Sequence, residues 1–162
     1  MRATGYASGL FDGDQERRRS IATDCWWGKP YQNWEPMVSM GERDASDPDA
    51  AVRRARMVRD QIARRGVRVP AVLEAMRRVR REAFLPASMA EFAYEDAPLP
   101  IDEDQTISQP YIVALMIEAL DLKPSDRVLE VGTGSGYAAA VLAEVAGGVF
   151  SGQRFASLAQ KA

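Results

Sequence analysis

The chain has 162 residues, 46% hydrophobic and 27% charged, and its 21 basic and 23 acidic side chains leave a net charge of −2. That is the composition of one ordinary globular domain, and so even a charge balance gives no reason to expect nucleic acid or a membrane surface as partner. One cysteine, Cys25, excludes an internal disulfide. The lack of histidine makes a zinc site improbable, so no metal is expected. No apolar run is long enough to cross a bilayer. Arg17-Arg18-Arg19 runs into polar residues, Ser20 to Asp24, rather than an apolar signal core, so a cytoplasmic protein is expected.

Residues 1 to 48 are rich in Gly, Asp, Ser and Arg, with Trp26, Trp27 and Trp34 scattered among polar residues. No helical or strand period persists there, so the stretch reads as mostly disordered, or as an extension ahead of a true start at Met37 or Met40. A partner-binding arm carrying exposed tryptophan is the other reading.

Order is expected from about residue 49. Asp47 or Asp49 caps a first helix that places Val52, Ala55, Val58 and Ile62 on one face, with Gly66 as its stop. Pro70 opens a second helix with Val72, Met76 and Val79 inward. The arginines clustered between Arg53 and Arg81 read as the solvated faces of these two helices. Phe84-Leu85-Pro86 ends that unit, and residues 91 to 101, with Pro98 and Pro100, are extended or looped. A third helix starts at Gln109-Pro110 with Ile112, Leu115, Met116 and Ala119 as its apolar stripe. Residues 49 to 125 thus form a helical region.

Residues 126 to 162 change character. Lys123 to Asp126 makes a turn, and Arg127 to Val131 is a strand apolar enough to be central in a parallel sheet. Tyr137 to Ala146 is a helix stopped by Gly147-Gly148. Val149 to Ser151 is a second strand, and residues 156 to 162 begin another helix. Strand, helix, strand, helix is the order of a doubly wound α/β sheet.

Between the first strand and its helix lies Glu130-Val131-Gly132-Thr133-Gly134-Ser135-Gly136-Tyr137. Glycines let the chain turn sharply and let a ligand approach the backbone. The helix that follows offers unpaired amides to a carboxylate or another anion. A dinucleotide fingerprint places a third small residue at position 137, but that residue is Tyr137, and no Gly-Lys-Ser/Thr follows to make a phosphate loop. An acidic residue, then Gly-x-Gly-x-Gly, is the pattern used for S-adenosylmethionine. A purely structural glycine turn is the alternative.

A second segment, Gln105-Thr106-Ile107-Ser108-Gln109-Pro110-Tyr111, is a polar loop leading into the third helix. Taken alone, Ser108 there reads as a helix N-cap. Together with Met57-Val58, Gln61-Ile62, Phe84-Leu85-Pro86, Tyr94, Leu99-Pro100-Ile101 and Val128 to Tyr137, this segment resembles the protein-L-isoaspartate O-methyltransferase family over about residues 50 to 150. Thr-Ile-Ser-Gln-Pro is the family-specific part; the glycine motif alone says methyltransferase.

The resemblance implies a Rossmann-like class I methyltransferase sheet preceded by a helical segment. It also implies a monomer that repairs proteins by methylating the stray α-carboxylate of isoaspartyl residues from S-adenosylmethionine. By the same match, Ser108 corresponds to the active-site serine, with Thr106, Ile107 and Gln109 in the substrate loop. Glu130, Gly132, Thr133, Gly134, Ser135 and Gly136 line the cofactor site. The chemistry needs no histidine: a carboxylate is already ionised at neutral pH, and a hydroxyl orients it without titrating.

Two departures stand against that pattern. Gln153 occupies the place where the family carries an acid that holds the ribose hydroxyls, and an amide is the weaker acceptor. The family's remaining strands are also missing, so the sheet is expected to be incomplete, with an open edge and one bare apolar face, and the chain to be a fragment of little activity alone. A non-catalytic interaction module and another S-adenosylmethionine-dependent methyltransferase are the competing readings.

Overall fold

The computed structural model describes residues 21–23 and 48–162. The readings of Arg17 to Arg19, Cys25, the three tryptophans, Met37, Met40 and Asp47 as a helix cap lie outside the described residues. Within the amino-terminal stretch, Ile21–Thr23 forms a strand, β1.

Helix α1 (Pro48–Met57) begins on a proline, with Asp49 in its first turn and Arg54 and Arg56 in its last, charges that complement the helix dipole. Asp49 therefore lies inside the helix, bound to Arg53 at 3.3 Å, not at its cap. The expected stripe is also wrong in its first half. Val52 is 65% exposed, while Ala50, Met57, Val58 and Ile62 are buried. A π-helical turn over Val58–Ile62 rotates the inward face at mid-length, which no constant period foresees. A 3-10 turn then ends at Gly66 with φ 108°.

Helix α2 (Pro70–Arg78) buries Val72, Ala75 and Met76, and Val79 packs against the same core. Two 3-10 turns, Arg81–Phe84 and Ala87–Phe92, carry the chain to a short antiparallel hairpin of β2 (Leu99–Pro100) and β3 (Thr106–Ile107). Most arginines of the basic cluster lie on solvated faces. Arg81 is the exception: it is wholly buried, with Nε donating to the Ala93 carbonyl at 2.8 Å.

Helix α3 (Pro110–Ala119) reverses the expected orientation. Val113, Ala114 and Ile117 are buried, whereas Ile112, Leu115 and Met116 of the predicted stripe are exposed. The sequence is apolar on both faces, so its period cannot say which one meets the core.

The turn before β4 (Arg127–Val131) is held by Asp126, whose carboxylate accepts from the Lys123 amide at 2.9 Å. After α4 (Tyr137–Val145) the chain enters β5 (Gly148–Gly152) and ends in α5 (Ala156–Ala159). The sheet is parallel, in the order β1-β5-β4, with Ile21 opposite Val149 and Glu130 opposite Ser151. It therefore has three described strands where two were expected, and β5 rather than β4 is central. Helix α4 packs on β5 and on α2, so Val72, Met76, Val141 and Val149 share one core. The other face of β4 is bare: Leu129 is 71% and Val131 87% exposed.

Candidate functional site

The turn after β4 is shaped by its glycines. Gly132, Gly134 and Gly136 have φ of 97°, 58° and 84°. Gly136 is the N-cap of α4, in a left-handed conformation that a side chain would strain. The turn is fastened to the end of β5, since the amides of Gly132 and Thr133 both donate to the Gly152 carbonyl, at 2.7 and 3.2 Å. Ile101, beyond β2, lies 3.8 Å from where a side chain on Gly134 would begin. No side chain caps α4, so its first-turn amides are left for a ligand or solvent.

This turn and the β3–α3 segment enclose one cavity of about 590 Å³, within the range of small-molecule sites. Thr106, Ile107 and Ser108 line it from one side, and Glu130, Gly132, Thr133, Gly134 and Ser135 from the other. Met116 of α3, Leu120 just after it, and Leu129 and Val131 of β4 add to the wall. The face of α3 assigned to the core is thus partly a cavity wall.

Three expected site residues are not part of the lining. Gly136 caps the helix. The Gln109 amide donates to Asp96 Oδ1 at 2.7 Å. Gln153 Oε1 accepts from the Phe155 amide at 3.2 Å. Ser108 is exposed and makes no cap bond; the N-cap of α3 is Gln109, also without a side-chain bond. The N-cap reading of Ser108 is therefore set aside.

Glu130 is half-buried, and burial lifts its pKa above the ordinary glutamate value. The Ser151 hydroxyl donates to its Oε2 and pulls the pKa partway back. Ser151 in turn lies 2.6 Å from Thr133 Oγ1, and both residues are buried. Ser151 was missed in the sequence because it reads as one polar residue in an apolar strand. The β4–β5 register, which sets it opposite Glu130, is the signal that finds it.

Below the turn, Tyr137 is buried at the start of α4. Phe84 meets its ring edge-on at 5.6 Å, the Arg81 guanidinium lies 4.9 Å from its centroid, and its hydroxyl donates to Met76 Sδ at 3.6 Å. Burial pushes the Tyr137 phenol up to about 12 and the Arg81 guanidinium down to about 10. This packing anchors the first turn of α4 beneath the cavity.

A parallel strand ending in a carboxylate, a tight glycine turn and a helix without a side-chain cap define a doubly wound α/β protein with a ligand site at the carboxyl edge of its sheet. The model of the protein-L-isoaspartate(D-aspartate) O-methyltransferase family matches residues 52–162, and the chain belongs to that family.

Among its relatives, protein-L-isoaspartate O-methyltransferase 1 of Rhodopseudomonas palustris strain HaA2 is 63% identical over 112 residues, which is 69% of this chain and 46% of the relative. The enzyme of Methylorubrum extorquens strain PA1 is 62% identical over 115 residues, 71% of this chain and 50% of the relative. A Plasmodium falciparum protein-L-isoaspartate O-methyltransferase crystallised with S-adenosyl-L-homocysteine superposes with a TM-score of 0.56. It is 28% identical and covers 65% of this chain and 50% of that one. A second protein-L-isoaspartate O-methyltransferase structure gives 0.55 at 31% identity, covering 66% and 37%. The chain spans about half the length of the curated relatives it matches.

Proposed function

We propose that this chain carries the cofactor cradle and active-site serine of a protein-L-isoaspartate O-methyltransferase, acting on isoaspartyl residues of damaged proteins in the cytoplasm. The observation that carries the reading is the single cavity shared by the Glu130–Ser135 turn and the Thr106–Ser108 segment.

The donor set suits S-adenosylmethionine. Glu130 offers a half-buried carboxylate with no cation bound to it among the described residues, suited to an ammonium or hydroxyl donor. The glycine turn brings the backbone close, and the start of α4 favours the cofactor's carboxylate. When bound, the sulfonium supplies an activated methyl group, which the substrate carboxylate oxygen takes as the carbon–sulfur bond breaks and its electron pair stays on sulfur.

The residues of this chain have no proton to move in that step. Ser108, whose hydroxyl is not engaged among the described residues, donates a hydrogen bond that turns the substrate carboxylate toward the methyl group. Ile107, Met116 and Leu120 give the cavity an apolar wall, and alignment of the reacting atoms does the rest.

Calorimetry with S-adenosylhomocysteine, followed by methyl transfer to an isoaspartyl peptide, tests this. Saturable binding that Glu130→Gln weakens is expected; no binding by folded protein would overturn the reading. One observation favours the rival reading, a family member without catalysis. The Gln153 side chain, where the family carries the ribose-holding acid, is engaged by the Phe155 amide outside the cavity lining. In that case the ligand stays unbound at every concentration tried.

A further inference from the structure

We propose that Ser151 is a positioning residue for Glu130, its hydroxyl fixing the cofactor-binding carboxylate at the cavity wall while Thr133 supplies the second link of the same chain of hydrogen bonds. The proposal rests on the cofactor reading above.

The donor order follows from the chemistry of a hydroxyl. Ser151 has one O–H, and the carboxylate oxygen it meets can only accept while ionised. Ser151 therefore donates to Glu130, and the 2.6 Å contact with Thr133 is a bond in which the threonine donates and Ser151 accepts. The chain runs from the glycine turn (Thr133), through the neighbouring strand (Ser151), to the end of β4 (Glu130). It joins three pieces of backbone whose register is already set by the β4–β5 pairing. Both hydroxyls are buried, where water competes little and such a chain is strengthened.

The arrangement is specific to Glu130. No charged side chain contributes to its shift. Arg127 of the same strand stacks on Phe150 at 4.7 Å. Arg154, just past β5, stacks on Phe155 at 4.8 Å. Glu144 of α4 pairs with Arg78 at 3.5 Å. Among the described residues, the only other titratable group in the cavity lining is Tyr137, whose hydroxyl is engaged by Met76. Ser151 is thus the one polar side chain bonded to this carboxylate among the described residues, and without it Glu130 would hold its proton to higher pH in a setting that burial already makes unfavourable for charge.

The test is a titration of the Glu130 side-chain carboxyl by carbon-detected NMR, assigned with Glu130→Gln, in wild type, Ser151→Ala and Ser151→Cys. The cysteine variant keeps the volume with a much weaker donor, so it serves where alanine impairs folding. The expected result is a midpoint moved to higher pH in both variants, while circular dichroism reports an unchanged fold. In parallel, the acid limb of S-adenosylhomocysteine affinity should move to higher pH, and affinity at alkaline pH should stay below wild type because the ionised carboxylate is no longer held in place. A Glu130 midpoint unmoved in the folded variants overturns the proposal. A moved midpoint in a protein that binds no S-adenosylhomocysteine supports the Ser151–Glu130 link and refutes the cofactor reading instead.

Discussion

Ser108 shows how a residue's two roles separate. It is exposed, has no hydrogen bond among the described residues and does not cap α3, so replacing it breaks no described hydrogen bond. Ser108→Ala is expected to leave stability within about 0.5 kcal/mol in a urea melt. Turnover, in any form of the protein that methylates isoaspartyl peptide, should fall roughly tenfold to a hundredfold, the cost of one hydrogen bond to a charged group. Unchanged turnover would remove Ser108 from the site. Glu130 makes a pH prediction. Its pKa is raised on folding, so the folded state holds the proton more tightly than the unfolded chain. Stability of the ligand-free chain therefore declines as pH rises from the ordinary glutamate range through the raised value. Glu130→Gln should flatten that decline in denaturation curves taken across the acid range. At this scale the glycine pattern pointed to Glu130 and the family resemblance to Ser108, and both line the cavity, whereas the chemistry of Ser108 taken alone suggested only a helix cap. The sequence was silent on Ser151, whose part depends on a neighbour brought in by strand pairing.

At the scale of elements, the strand, turn and helix from Arg127 to Val145 were legible because glycine spacing and the change of period mark them locally. The faces of α1 and α3 were not. A π-helical turn in one and apolar residues all round the other leave the inward side to tertiary contacts. Gly136 and Gly147 test two different demands on the backbone around α4. Gly136→Ala keeps φ 84° only under strain, costing about 1–2 kcal/mol. Gly147→Ala would set its Cβ 2.7 Å from the Pro124 carbonyl oxygen, a backbone atom that cannot swing aside, and should cost about 1–3 kcal/mol. Thermal melts of the two variants check both, and a variant as stable as wild type would show that its turn relaxes.

For the whole molecule, the expectation of a bare apolar sheet face is met by Leu129 and Val131 of β4, and Leu115 and Met116 of α3 and Leu120 just after it are exposed as well. Clustered apolar surface of this kind promotes association. The dissolved chain is expected to self-associate as concentration rises, and Leu129→Lys with Val131→Lys should suppress this in sedimentation velocity without lowering the melting temperature. The third strand of the sheet was not legible. Three residues of β1 carry too little pattern to stand out in a polar stretch, and only their pairing with β5 reveals them.

That pairing joins two stretches from opposite ends of the described chain. Closing so long a loop carries an entropic cost that local contacts do not meet, so β1 is expected to add late in folding. On the ribosome it has no strand to pair with until β5 has emerged. The helices and the glycine turn can form during synthesis, whereas the outer edge of the sheet is finished only afterwards.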